Sequence, residues 1–257
     1  MTTLTAKRRK VRRRIRITGW TALSSLLVTI VGFLTWFHIV LPADREATLE
    51  VFRDDRVTVR SEPGVIVMEP SSEAGDHGLL YFPGAKVDPY SYLHPLTDLA
   101  ASGVTVIIME PLMNMALFDQ RDLGTLTSAA PNVNSWTLAG HSLGGVRACM
   151  LADDPQVSHL VLFASFCAND LTGAQLDVVM VLGDQDGLID VAAVRDSTAL
   201  LPLGRSTIET ISGANHASFG TYGPQPGDGD STLSRTDMRA TLSEILMRAT
   251  STTTSTR

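Results

Sequence analysis

The sequence predicts an α/β protein built on a doubly wound, mostly parallel sheet and preceded by one N-terminal transmembrane helix. Three observations predict this. Short apolar runs alternate with helix-compatible segments over residues 56–249, as a parallel sheet with crossover helices requires. One strand, Trp136 to Ala139, runs through the tight turn Gly140-His141-Ser142-Leu143-Gly144 straight into a helix-compatible segment. An uncharged apolar stretch, Ile17 to Leu41, follows a basic N-terminus.

Charge divides the chain. Eight cations, Lys7, Arg8, Arg9, Lys10, Arg12, Arg13, Arg14 and Arg16, fall in the first sixteen residues, and no Asp or Glu precedes Asp44. The other 13 lysines and arginines face all 27 acids, so the body carries about −14, which argues against nucleic acid as a partner. At ~1.5 Å per residue the run 17–41 crosses a ~30 Å hydrocarbon core with some tilt, and Trp20, Trp36 and Phe37 suit its interfaces. A cleaved secretory signal shares the basic start. Its apolar core is usually only about 7–15 residues, however, and Leu41-Pro42-Ala43 is a poor cleavage site, so an uncleaved anchor is expected. By the positive-inside rule the arm is cytoplasmic and the body lies outside the cell membrane. The expected organisation is a basic arm (1–16), an anchor (17–41), a polar spacer (42–55), an α/β domain (56–249) and a disordered Ser/Thr tail (250–257).

Within the domain, Arg56 to Arg60 and Val65 to Met68 flank a Glu62-Pro63-Gly64 turn and predict a β-hairpin. Leu79 to Phe82 and Val104 to Met109 read as buried strands with a helix from Tyr90 to Ser102 between them. The pattern weakens from Pro111 to Leu126, where a short helix is expected around Met115 to Asp122. The Trp136 strand, its turn and the helix up to Ala152 follow. Further strands are predicted at Leu160 to Phe163, Val178 to Leu182 and Ser206 to Ile211, with helices at Ala192 to Leu201 and Thr236 to Ala249. Cys149 and Cys167 are too few for a disulfide scaffold or a metal cluster and are expected as buried small apolar residues.

The chemistry gathers where parallel strands release their C-terminal ends. The Ser142 turn has the form of a nucleophile elbow: its flanking glycines allow strand and helix to touch, and the helix N-terminus favours an anion. Asp186 follows a later strand and His216 the last one, giving the order Ser, Asp, His. A serine hydroxyl is nearly inert at neutral pH, so His216 is expected to take its proton and Asp186 to orient the imidazole. Asp184 is the runner-up for the acid, and Asp190 is also near. Among the other histidines, His141 cannot fold back onto its neighbour's hydroxyl, and His159 precedes its strand. The oxyanion donors are expected to be the amides of Leu143 and Ala85. Pro83-Gly84-Ala85-Lys86 lacks the glycine and the Ser/Thr of a phosphate loop, and Lys86 reads as a solvated lysine. Phe219 to Asp230 is expected on the rim of an open site, with Asp228 and Asp230 a weak candidate for calcium. No metal or cofactor is expected.

The runs Tyr81 to Pro89, Gly140 to Gly145, Ala164-Ser-Phe166 with Asp170-Leu171, Gly183 to Gly187 and Asn215 to Gly229 resemble the compact bacterial α/β-hydrolases of the fold-5 type. These are distantly similar to dienelactone hydrolases. The resemblance covers about Val65 to Met247 and implies the α/β-hydrolase fold with Ser142, Asp186 and His216 as its triad. Dienelactone hydrolases use a cysteine nucleophile, and the serine here points to ordinary ester chemistry. The expectation is a membrane-anchored serine hydrolase of small-molecule or lipid-like carboxylic esters. An acyltransferase with the same triad and a non-catalytic binding protein are the alternatives, and the sequence carries no signal for oligomeric state.

Overall fold

The computed structural model describes residues 2–250. Its first unit is a single helix, α1 (Thr2–His38), which separates from a body beginning at Val40. The helix runs without a break through the basic block, and an 18-residue window within Arg9–His38 reaches a mean hydropathy of 1.8, so the helix is long and apolar enough to cross a membrane. It stops short of the expected end at residue 41. Leu41 belongs to the body, where its backbone makes a parallel bridge with Val87, flanked by bonds to Lys86 and Asp88.

The expected spacer is not open chain. Asp44 caps α2 (Arg45–Phe52) by accepting the Ala47 amide at 2.9 Å, and Ala47 and Val51 are buried. Their i, i+4 spacing forms one narrow apolar stripe, which the surrounding charges conceal in the sequence.

Eight strands form one sheet in the order β1-β2-β4-β3-β5-β6-β7-β8. The hairpin of β1 (Val57–Glu62) and β2 (Val65–Pro70) is antiparallel, and β2 meets β4 (Thr105–Met109) antiparallel. From β4 onward all pairs are parallel: β3 (His77–Phe82), β5 (Ser135–His141), β6 (Val157–Phe163), β7 (Asp177–Gly183) and β8 (Ser206–Ile211). Alternate residues feed two cores. Leu79, Tyr81, Val106 and Ile108 pack under α2, α3 (Leu93–Ala101) and α7 (Arg235–Thr250). Leu80, Phe82, Ile107 and Met109 pack under α4 (Leu123–Thr127), α5 (Leu143–Leu151) and α6 (Val191–Ser197). Each such side chain contributes about 1.5–3 kcal/mol by leaving water.

Two further expectations are corrected. The helix expected at Met115 to Asp122 is replaced by two 3-10 turns, Leu112–Asn114 and Ala116–Phe118, and the α-helix begins only at Leu123. The cause is Asp122, whose carboxylate takes the Thr125 amide at 2.8 Å and so starts α4 behind it as an N-cap. Cys149 and Cys167 are buried, as expected, but joined as a disulfide with their Cα atoms 5.5 Å apart. The bridge ties α5 to the segment leaving β6. Of the expected tail, residues 251–257 lie outside the described residues, and Thr250 closes α7.

Candidate active site

Ser142 stands between β5 and α5 with φ 53° and ψ −127°. That backbone is unfavourable for a side-chain-bearing residue by about 1–3 kcal/mol, so its surroundings must hold it. They do so with three hydrogen bonds. The Ser142 amide donates to the Phe163 carbonyl at 2.9 Å, and the Ser142 carbonyl accepts from Ser165 Oγ at 2.6 Å and from the Gly145 amide at 3.0 Å. The glycines are needed for space. A Cβ on Gly140 would lie 2.5 Å from the Gly145 nitrogen, and one on Gly144 would collide with the carbonyls of Phe82 and Pro83 at the end of β3.

His216 opens a 3-10 turn after β8, and its Nδ1 lies 2.8 Å from Asp186 Oδ2. The other oxygen, Oδ1, accepts the amides of Leu188 at 2.8 Å and Ile189 at 2.9 Å. Burial pushes this carboxyl up. The bond from His216 and the two amides outweigh it, so Asp186 stays below the ordinary carboxylate range and is charged. The competing acids are engaged elsewhere. Asp184 accepts from Ser212 Oγ and the Gly213 amide, and Asp190 caps α6 through Ala192 and Ala193. Of the three aspartates, Asp186 is the one brought to His216.

Ser142 and Leu143 are half-buried at the start of α5, where a helix leaves its first amides without intrahelical acceptors. The amides of Leu143 and Ala85 carry no hydrogen bond among the described residues, whereas the neighbouring Gly84 amide is taken by the Tyr92 hydroxyl at 2.9 Å. No hydrogen bond among the described residues joins Ser142 to His216. The ring against His216 is that of His141, with centroids 4.7 Å apart.

Sequence reasoning missed Tyr92 and Ser165 as parts of this site, rejected His141 as the base without giving it another role, and read Asp228 as a rim residue and calcium candidate. Asp228 is no bare carboxylate: it accepts the amides of His216 (3.1 Å), Ala217 (2.9 Å) and Gly187 (3.2 Å), pinning the His216 turn to the Asp186 loop. Its oxygens are engaged by these amides, and no group of three or more His, Cys, Asp or Glu that could hold a metal ion occurs among the described residues. The segment Phe219 to Asp230 also departs from the expected rim. Phe219 and Tyr222 are buried, with their rings tilted against that of His141 at centroid distances of 5.8 and 6.2 Å, so the start of this segment is a strut packed on the histidine. Only residues 164–176 separate β6 from β7, which leaves no room for a cap domain there.

This strand order, with an elbow serine and a His-Asp pair at the C-terminal edge, defines an α/β-hydrolase. The sequence agrees: the Alpha/beta hydrolase family matches residues 78–240, and the chain belongs to that family. Among solved structures it is similar to a predicted CIB-like hydrolase from Thermoplasma acidophilum. That likeness has a TM-score of 0.54 at 12% identity and covers 75% of this chain and 99% of the other, which speaks to the fold alone. No curated protein matches the sequence.

Proposed function

We propose that this hydrolase is a membrane-anchored serine esterase that cleaves carboxylic esters through an acyl-enzyme. The 2.8 Å bond between His216 Nδ1 and the charged, buried Asp186 carries the reading. With its Nδ1–H donating a hydrogen bond to the Asp186 carboxylate, the imidazole presents Nε2 as a base. As substrate binds, Ser142 Oγ closes on Nε2. The serine attacks the ester carbonyl while His216 takes its proton, and the oxyanion forms against the Leu143 and Ala85 amides. Collapse expels the alcohol, protonated by His216, and leaves an acyl-serine. Water then repeats the sequence and releases the acid.

The anchor reading rests on α1, with its N-terminus cytoplasmic and the catalytic body outside. The disulfide supports it, because such bridges persist in oxidising compartments. A fluorophosphonate probe should label wild-type protein and not Ser142→Ala, and an ester panel from short to long acyl chains should define the preference. Absence of labelling refutes the esterase reading; transfer of the acyl group to an added alcohol in preference to water marks an acyltransferase. Full-length protein should stay with membranes through a high-salt wash, and its release intact refutes the anchor.

A further inference from the structure

Beneath the serine lies a buried chain of three groups that the triad leaves unused. Tyr92 ends the 3-10 turn Pro89–Tyr92, and its side chain is buried. The phenol oxygen is 2.9 Å from the Gly84 amide and 2.9 Å from His141 Nδ1. An amide can only donate, so the phenol accepts from Gly84 and spends its single proton on His141 Nδ1. His141 is therefore the Nε2–H tautomer. It stays neutral, because burial, and then the neighbouring His216, push its pKa well below the ordinary value.

The place of this chain gives it a purpose. Backbone pairing between β3 and β5 runs out at Phe82 and Gly140. Pro83 follows, with no N–H to continue the ladder. Beyond that point the Tyr92 hydroxyl is a direct link between the two segments. Gly84 adjoins Ala85 on one side, and His141 lies two residues before Leu143 on the other. The fit is close: a Cβ on Gly84 would stand 2.8 Å from His141 Nδ1.

We propose that Tyr92 and His141 are positioning residues whose hydrogen bond sets the spacing of the two oxyanion amides, Ala85 and Leu143. This rests on the esterase reading above. Oxyanion contacts strengthen in the transition state, so disturbing their spacing lowers kcat and leaves substrate affinity nearly unchanged.

The test uses the full chain in detergent with a p-nitrophenyl ester. Tyr92→Phe should lower kcat about 10- to 100-fold, up to the cost of a ~1 Å misplacement and below the roughly 100- to 1000-fold cost of deleting an oxyanion donor outright, with KM within about threefold. Affinity for a boronic acid that mimics the tetrahedral intermediate should fall in step with kcat/KM, while the fluorophosphonate still labels Ser142. In the wild type, nitrogen NMR of His141 should show Nδ1 unprotonated and Nε2 protonated; in Tyr92→Phe that preference should relax. His141→Asn offers an oxygen to the Tyr92 hydroxyl and should keep kcat within about tenfold of wild type, whereas His141→Leu should lose as much as Tyr92→Phe. A Tyr92→Phe enzyme with normal kcat, or with its loss in KM, overturns the proposal. If Tyr92→Phe fails to fold, the two His141 variants decide: equal activities overturn the proposal, and rescue by Asn alone sustains it. Failure of the probe to label wild-type Ser142 is a separate result that removes the esterase reading itself.

Discussion

Substituting Asp186 by Asn tests the acid assignment most sharply, because the surrounding bonds dictate which way the amide must face. Oδ1 of Asp186 accepts two backbone amides, Leu188 and Ile189, and Oδ2 faces His216 Nδ1. In the Asn variant the single oxygen is drawn to the two amides, since the NH2 group there would leave three donors facing one another. The NH2 group is then aimed at His216 and donates to Nδ1, which forces the imidazole proton onto Nε2. Nε2 cannot then receive the serine proton. The variant loses the charge that stabilises the imidazolium as well. Loss of the correct tautomer in a triad lowers kcat by about 10⁴, equivalent to ~5.5 kcal/mol of barrier. Steady-state hydrolysis of a p-nitrophenyl ester measures this, with the melting temperature as a control for folding. Activity within tenfold of wild type in a folded Asp186→Asn protein would show that another group orients His216 and would refute the assignment.

Two predictions concern stability. Replacing Cys149 and Cys167 together by Ala opens a bridge across a sequence separation of 18 residues, and urea unfolding should then show a loss of about 3 kcal/mol; a loss below about 0.5 kcal/mol would contradict the bridge. His77 is buried with Nε2 2.9 Å from Thr137 Oγ1, and burial, then His159, push its pKa down to about 4. The unfolded value is about 6.5, so between these two values the unfolded chain binds more protons. The stabilising contribution is therefore complete above about pH 6.5 and is lost as pH falls towards 4. His77→Gln should flatten the stability profile across that window, and an unchanged slope would assign the acid sensitivity to other groups.

How much of this was legible in the sequence depends on how far apart the interacting parts lie. Strands showed as apolar runs because burial on both sheet faces acts residue by residue, and the elbow showed because its glycines answer a clash within five residues. The acid was harder. Asp184, Asp186 and Asp190 are near-equivalents in sequence, and only the turn that gives Leu188 and Ile189 to Asp186 separates them. The helix α2 was hidden because two buried residues, Ala47 and Val51, suffice once tertiary packing supplies the rest. Two other pairs that meet across the fold left no local trace. Cys149 meets Cys167 because β6 and the turn at Ala164, with φ 45°, bring the chain back to α5, and a spacing of 18 does not encode that. Tyr92 meets His141 across 49 positions. In sequence, His141 is merely the wrong histidine, too close to Ser142 to serve as its base. In the fold that same closeness lets a neutral, fixed ring carry the geometry of one oxyanion loop to the other, so the reason for rejecting it as the base is the reason it can act as the spacer.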